Sequence, residues 1–289
     1  MDYFLHLVVL ASIWSILAVS LNISVGYTGL LTLSHAGFYG VGAYAVALLT
    51  TEADMNFYLA MVIGMLAAGF VALLVSPILR LKGHFFILAT VAVQLMLTQI
   101  LFNWISLTKG ALGVIGIPSP TLFGYKLNDP QSFLFLSIPV ALLVILVVRQ
   151  LVDSPYGRVL KAIRANPEVA ESVGINVQLY RLRVMIITAM LAAVAGGLWA
   201  GYSRYVSPGS FSILFSTTIL VMVILGGSGR WIGSVIGAAM LIAITEAVRF
   251  MPGIPADIIG SVQVMVWSGT LFAAMLWRPQ GLVGSFKME

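Results

Sequence analysis

The chain offers few side chains that could carry covalent or metal chemistry. It has no cysteine, which excludes a cysteine nucleophile, a zinc–thiolate site and a disulfide framework. Its three histidines, His6, His35 and His84, are far apart in sequence, and none belongs to an HExxH motif. A phosphate-binding GxxxxGK(S/T) loop is also missing from the sequence. We therefore expect no enzymatic activity, no metal site and no cofactor on this chain.

A polar stripe interrupts one apolar stretch at helical spacing. Thr90, Gln94 and Thr98 recur at i, i+4 and i+8, which places them on one face of a helix. In lipid such a face must turn toward protein or water. The stripe would either line a translocation pathway or form hydrogen bonds between helices, and the sequence leaves both interpretations open.

A second candidate is a glycine-rich stretch inside an apolar segment. Gly37 and Gly40 lower helix propensity. A helix broken beside Ser34 and His35 would present free N–H groups that suit a substrate carboxylate. The alternative is that the glycines only let helices pack closely, with His35 a structural hydrogen-bond donor rather than a titrating group.

The elements that must position these residues follow from composition and run length. Hydrophobic residues make up 60% of the chain and charged residues only 9%, where a soluble domain carries about 25% charged residues. A bilayer core is crossed by ~20 helical residues, and the apolar runs have that length. They predict an all-α polytopic membrane protein with about nine (eight to ten) transmembrane helices, near 4–24, 30–50, 57–79, 84–104, 132–151, 184–204, 213–227, 231–250 and 257–277. The short span near 213–227 and the glycine-interrupted span near 30–50 could each be broken or re-entrant.

The charges predict the orientation. Under strict alternation of nine spans, most cationic residues fall on one side, as the positive-inside rule requires of a cytoplasmic face: Arg80, Lys82, Arg158, Lys161, Arg164, Arg181, Arg183, Arg230, Arg278 and Lys287. The other side receives a mixed set: Glu52, Asp54, Lys109, Lys126, Asp129, Arg204 and Asp257. The N-terminus is therefore expected outside and the C-terminus in the cytoplasm, with residues 105–131 forming an external loop.

The most polar stretch lies in the predicted cytoplasmic loop 152–183. Asn166 can cap a new helix that has Pro167 at its first position and Glu168 in its first turn. Gly174 is a natural C-terminal stop. The pattern predicts two short helices with a corner at Asn166–Pro167. So short a helix is marginal alone in water, so it would need a docking partner.

Small residues at four-residue spacing predict close helix packing, at Ala192, Gly196 and Ala200 and again at Gly233 and Gly237. An internal repeat is left open by the similarity of residues 26–28 (GYT) to residues 201–203 (GYS).

Four motifs resemble known transporters. The run 168–174 (EVAESVG) is similar to the EAA…G loop of ABC importer permeases, with Val169 where alanine is usual. It occurs with GYTGLLTLSHAGFYGVGAYAVALL (26–49), VILGGSGRWIGSVIGA (223–238) and RPQGLVG (278–284). In this order, over nearly the whole chain, they resemble the branched-chain amino acid permeases of the LivM type.

The resemblance implies a single permease domain (1–289) in a bacterial inner membrane, with a periplasmic N-terminus. It implies partners: cytoplasmic ATPase subunits that hold ATP and Mg²⁺, a second homologous permease and a periplasmic substrate-binding protein. The net charge of +5 is explained by membrane topology, so no nucleic-acid partner is expected. The resemblance also implies that loop 152–183 couples to the ATPase, through Arg158, Lys161, Arg164, Asn166, Pro167, Glu168, Ala170 and Gly174. The alternative for this loop is an amphipathic linker lying on anionic headgroups.

The expected function is thus the permease subunit of an ATP-driven importer for branched-chain or related small amino acids and amides. No residue discriminates among these cargoes. The alternative function is an ion-coupled secondary transporter, which would be expected to carry charged residues near the bilayer midplane, where these spans have almost none.

Overall fold

The computed structural model describes residues 2–122, 124–250 and 258–277. Helices dominate this part of the chain. They are α1 (Asp2–Asn22), α2 (His35–Thr51), α3 (Phe57–Leu74), α4 (His84–Asn103), α5 (Ile105–Thr108), α6 (Pro130–Asp153), α7 (Pro155–Ala165), α8 (Pro167–Ser172), α9 (Val177–Ser203), α10 (Ile213–Gly226), α11 (Trp231–Arg249) and α12 (Ile259–Trp277). A π-helical turn, Ile23–Tyr27, extends α1, and 3₁₀ turns form at Ser76–Arg80, Gly110–Leu112 and Pro208–Phe211.

Each predicted span overlaps one of these helices, but nine full crossings are not confirmed. Within the described residues, six helices are long and apolar enough to cross a membrane: α1 with its π turn, α3, α4, α6, α9 and α11. The two spans predicted to be broken or short give α2, with 17 residues, and α10, with 14. Both begin after irregular segments. The segment before α2 contains Gly29, which has a positive φ of 70°, and the segment before α10 contains a 3₁₀ turn that begins at Pro208.

Helix α9 is the centre of the bundle. It packs against α1, α2 and α3. Glycine allows the close approach to α2, since a Cβ on Gly196 would lie 2.1 Å from the Tyr39 carbonyl oxygen. A Cβ on Gly237 of α11 would likewise lie 2.0 Å from the Met222 carbonyl oxygen of α10. The prediction of close packing at these small residues is confirmed.

The predicted external loop 105–131 carries structure of its own. Strand β1 (Val114–Ile115) pairs antiparallel with β4 (Tyr205–Val206), which follows α9. Strands β2 (Thr121–Leu122) and β3 (Tyr125–Lys126) form a short hairpin. These two-residue strands add a small cap to the all-α architecture, and β1 ties the loop to the segment that precedes α10.

The predicted loop 152–183 is shorter than expected, because both flanking helices extend into it. Helix α6 continues to Asp153. Helix α9 begins at Val177, where the Asn176 side chain accepts a hydrogen bond from the Leu179 amide at 3.0 Å. The motif at 278–284, together with Arg278, Lys287 and Asp257 of the charge pattern, lies outside the described residues.

Candidate functional site

The start of α2 lies inside the helix bundle, where the sequence predicted a break. The first amides are already bonded: Ala36 N donates to Ser216 Oγ at 2.9 Å, and Gly37 N donates to Gln94 Oε1 at 2.7 Å. The donors that were expected to be free for a carboxylate are therefore occupied in this conformation. Ser216 lies on α10, so the bond joins two helices that both begin within the bundle.

Gln94 of α4 is the centre of this junction. It is fully buried. Its Nε2 donates to the Phe211 carbonyl oxygen at 2.7 Å, and its Oε1 also accepts from Ser216 Oγ at 3.1 Å. Thr98, one turn further along α4, donates to the same Phe211 carbonyl oxygen at 3.1 Å. The polar stripe thus bonds α4 to α2, to α10 and to the turn before α10.

The remaining stripe and glycine residues are arranged around the same junction. Thr90 Oγ1 accepts a hydrogen bond from the Leu33 amide at 3.2 Å, and the Ser34 hydroxyl lies 3.0 Å from Thr32 Oγ1. Gly40 faces an aromatic side chain, because a Cβ there would lie 2.8 Å from Phe211 Cγ. These contacts show hydrogen bonding and packing between helices, and lining of the substrate pathway stays a prediction.

His35 is buried and bonds to α1. Its Nε2 lies 2.8 Å from Ser20 Oγ, whose hydroxyl donates to the Leu17 carbonyl oxygen at 2.9 Å. Because the serine has one hydroxyl proton, His35 Nε2 is the donor when both bonds form. The sequence singled out His35, but nothing in its spacing pointed to Ser20 or Ser216 as partners.

A second polar contact fixes the C-terminal end of α1. Asn22, fully buried, accepts from the Gly229 amide at 3.0 Å and donates to the Arg230 carbonyl oxygen at 2.9 Å. Gly26 must lack a side chain here, since a Cβ would lie 1.8 Å from Asn22 Oδ1. The π turn at Ile23–Tyr27 is therefore locked to the turn between α10 and α11. Such π turns are frequent at functional sites.

The two short helices predicted for loop 152–183 are present. Asn166 Oδ1 accepts from the amides of Glu168 at 3.0 Å and Val169 at 3.1 Å, which caps α8. Gly174, at a φ of 86°, closes α8 with the paired backbone bonds of a Schellman motif. Ala170 is the buried residue of α8. The corner between α7 and α8 is therefore formed by local side-chain and backbone hydrogen bonds.

The three basic residues of α7 do not share one role. Arg158 is exposed. Lys161 Nζ lies 5.7 Å from the centroid of the Tyr27 ring, and Arg164 Nη1 donates a hydrogen bond to the Gly26 carbonyl oxygen. Burial lowers the pKa of Arg164, yet a guanidinium stays charged at physiological pH. Lys161 and Arg164 therefore attach α7 to the C-terminal end of α1, whose last carbonyls carry partial negative charge.

The opposite side of α8 faces away from the bundle. Val169 is 58% exposed and Val173 is 71% exposed, and Ser172 is also exposed. Two exposed valines on so short a polar helix suit a protein contact. Among the described residues, no group of three or more acidic, histidine or cysteine side chains could hold a metal ion.

Comparisons place the chain among known permeases. Residues 3–276 match the family model described as the permease component of the branched-chain amino acid transport system. The high-affinity branched-chain amino acid transport system permease protein LivM of Escherichia coli K12 is 32% identical, over 95% of this chain and 68% of LivM. The corresponding LivH protein of that strain is 23% identical, over 98% of this chain and 94% of LivH.

A solved structure, PsaBC from Streptococcus pneumoniae in complex with Fab, aligns over 97% of this chain and 93% of its own. The TM-score is 0.47 and the sequence identity 12%.

Proposed function

Because the chain belongs to the branched-chain amino acid permease family, we propose that it is the transmembrane subunit of an ATP-driven ABC importer for branched-chain or related small amino acids and amides. The names of its LivM and LivH relatives support this cargo class. The polytopic helical fold supports a role within the membrane. The permease makes and breaks no covalent bond.

Its partners follow from the same family. Cytoplasmic ATPase subunits hold ATP and Mg²⁺, and a periplasmic binding protein delivers the substrate to the outer face. A second homologous permease completes the pathway, and the similarity of this chain to both LivM and LivH supports such a pair. The chain lies in a bacterial inner membrane with its N-terminus in the periplasm and its C-terminus in the cytoplasm.

The α7–α8 corner transmits the ATPase movement. The observation that carries this proposal is that α8 is exposed through Val169 and Val173 while α7 is bonded to the end of α1 through Arg164. An ATPase subunit holding the exposed side of α8 therefore moves α7 and, through it, the π turn of α1. That turn is bonded through Asn22 to the α10–α11 turn, so the movement reaches the helices that begin inside the bundle.

Substitution of an exposed valine tests the docking. Val173→Asp should abolish co-purification of the ATPase subunits and ATP-dependent leucine uptake in proteoliposomes, because a carboxylate would be buried without a partner in the interface. Leu112→Asp, at a side chain 79% exposed on the external cap, is the matched control and should leave ATPase capture intact. Full capture and uptake by the Val173→Asp complex would refute docking on this side of α8.

An ion-coupled secondary transporter is the alternative. Among the described residues, the buried polar side chains are hydroxyls, two amides and His35, and none is a carboxylate. Ion-coupled transport usually relies on charged groups inside the membrane. Uptake by this chain alone, driven by an ion gradient and independent of ATP, would establish the alternative instead.

A further inference from the structure

A cavity of about 350 Å³ lies between α8 and the rest of the bundle, at the end that the charge pattern places in the cytoplasm. Its walls come from α8, the segment after α1, the turn into α4 and the start of α9. Ligand pockets in proteins range from ~300 to ~1,000 Å³. This cavity is at the lower end of that range, so it suits a small ligand.

The charged groups that line the cavity have both signs. Lys82 and Arg181 are contributed by the turn before α4 and by α9, and Glu168 and Glu171 by α8. The Arg181 Nε atom is buried and has no hydrogen-bond partner among the described residues. The negative charge of Glu171 acts on this guanidinium, but the buried Nε atom still has no acceptor, which is costly. An anionic group of a ligand would supply that acceptor.

Much of the remaining lining is apolar, although His84 and Gln178 also contribute to it. Leu30, Leu31 and Phe86 form one wall, and Leu81 lies beside them. A ligand that satisfies the whole cavity therefore carries an anionic group, a cationic group and a small apolar body. Charge-assisted hydrogen bonds to both ionic groups would fix its orientation.

We infer that this cavity binds a free α-amino acid with an apolar side chain on the cytoplasmic side, as a regulatory site separate from the polar junction at the start of α2. The carboxylate binds at Arg181 and Lys82, and the ammonium at Glu168 and Glu171. The side chain of the amino acid packs on the leucine and phenylalanine wall.

Occupancy of this site would slow transport. The ligand bridges α8 to α4 and α9, which holds α8 against the bundle. This consequence rests on the proposed function, in which movement of α8 couples ATP hydrolysis to transport. Val169 and Val173, the exposed valines proposed to dock the ATPase, do not line the cavity, whereas Pro167 and Glu168 belong both to the cavity and to the proposed coupling residues. An occupied cavity therefore restrains the coupling segment itself, and the imported product would inhibit its own uptake.

Direct binding tests the site. The assembled permease–ATPase complex, in nanodiscs and without the binding protein, is titrated with radiolabelled leucine. Glu171→Gln should weaken binding by about tenfold, because it removes one charge-assisted contact. Leucinamide, which lacks the carboxylate, should compete poorly. Asp153→Asn is the matched control: its exposed carboxylate lies 3.7 Å from Arg149 and does not line the cavity, so the affinity should be unchanged.

Transport tests the consequence. Leucine loaded inside proteoliposomes should slow initial ATP-dependent uptake by the parent complex and by Asp153→Asn, but not by Glu171→Gln. Equal leucine affinity in all three complexes overturns the site even if transport is normal. Retention of a zwitterionic phospholipid in the parent complex and its loss in Glu171→Gln, by native mass spectrometry, would assign the cavity to a lipid headgroup and also overturn it. If ATP-dependent uptake is absent altogether, the proposed function fails, while the binding titration still decides whether the site exists.

Discussion

At the scale of single residues, Gln94 shows why an amide is suited to a junction of three helices. Its oxygen accepts from Gly37 N and Ser216 Oγ, while its nitrogen donates to the Phe211 carbonyl oxygen. The amide nitrogen also donates to Thr98 Oγ1 at 3.2 Å. A hydroxyl has only one proton to donate and a carboxylate has none, so neither could make all four bonds. The residue type is thus explained by the bonds it makes, whether or not substrate passes nearby.

Replacement of Gln94 separates the two interpretations that the sequence left open. Gln94→Leu should lower the free energy of unfolding by about 1–2 kcal/mol. This is near the low end of the cost of leaving a buried polar group without a hydrogen-bond partner, because Thr98 still donates to the Phe211 carbonyl oxygen and Gly37 N still donates to the Ser34 carbonyl oxygen. Thermal unfolding of the detergent-purified chain measures this change.

The control is Gln99→Leu on the same helix, since Gln99 is exposed and bonds locally to Asn103. It should be nearly neutral. Unchanged stability of Gln94→Leu, together with altered substrate affinity, would instead place Gln94 in the translocation pathway.

At the scale of helices, the close approach of α2 and α9 depends on glycines, which have no side chain. A Cβ on Gly42 would lie 2.3 Å from the Ala193 carbonyl oxygen, and one on Gly196 only 2.1 Å from that of Tyr39. Gly196→Ala should therefore destabilise the protein by about 1–3 kcal/mol, the usual cost of overpacking. Gly269→Ala, at a helical glycine of α12 with open space around it, should be neutral or stabilising in the same thermal-unfolding assay. Equal effects of both substitutions would contradict the packing argument.

The short helix α8 should depend on its cap more than a long helix does. Asn166→Ala removes the acceptor for two amides and should cost about 1 kcal/mol. Because α8 has only six residues, hydrogen exchange of its amides should become faster. Asn176→Ala removes the cap of α9, which tertiary packing stabilises, so exchange within α9 should change little beyond its first turn. Unaltered exchange in α8 of Asn166→Ala would show that packing alone holds it.

At the scale of the whole molecule, the orientation can be tested directly because the chain has no cysteine. Ser172→Cys on α8 and Thr121→Cys on the β2–β3 hairpin, which is proposed to be external, place single thiols at exposed positions. In intact spheroplasts, a membrane-impermeant maleimide should label Thr121→Cys only. After permeabilisation it should label both variants. Labelling of Ser172→Cys in intact spheroplasts would reverse the proposed topology.

Features that depend on a few neighbouring residues followed from the sequence. Run length and apolarity predicted the helices, and residues 166–174 predicted the α7–α8 corner, because capping and termination are local. The small residues around Gly196 and Gly237 predicted close packing for the same reason. The lengths of the apolar runs did not predict the number of membrane crossings, since α2 and α10 begin after irregular segments and are shorter than a full crossing.

Only the tertiary structure decided which distant groups meet. Gly37 bonds to a residue 57 positions away, Ala36 to one 180 positions away, and Arg164 to a carbonyl 138 positions away. Strand β1 pairs with β4 across α6 to α9. No periodicity or motif specifies such partners, because they are set by how the helices pack around α9. The sequence by itself therefore determined the membrane class and the α7–α8 corner, and packing decided the contacts that join that corner to the helix starts inside the bundle.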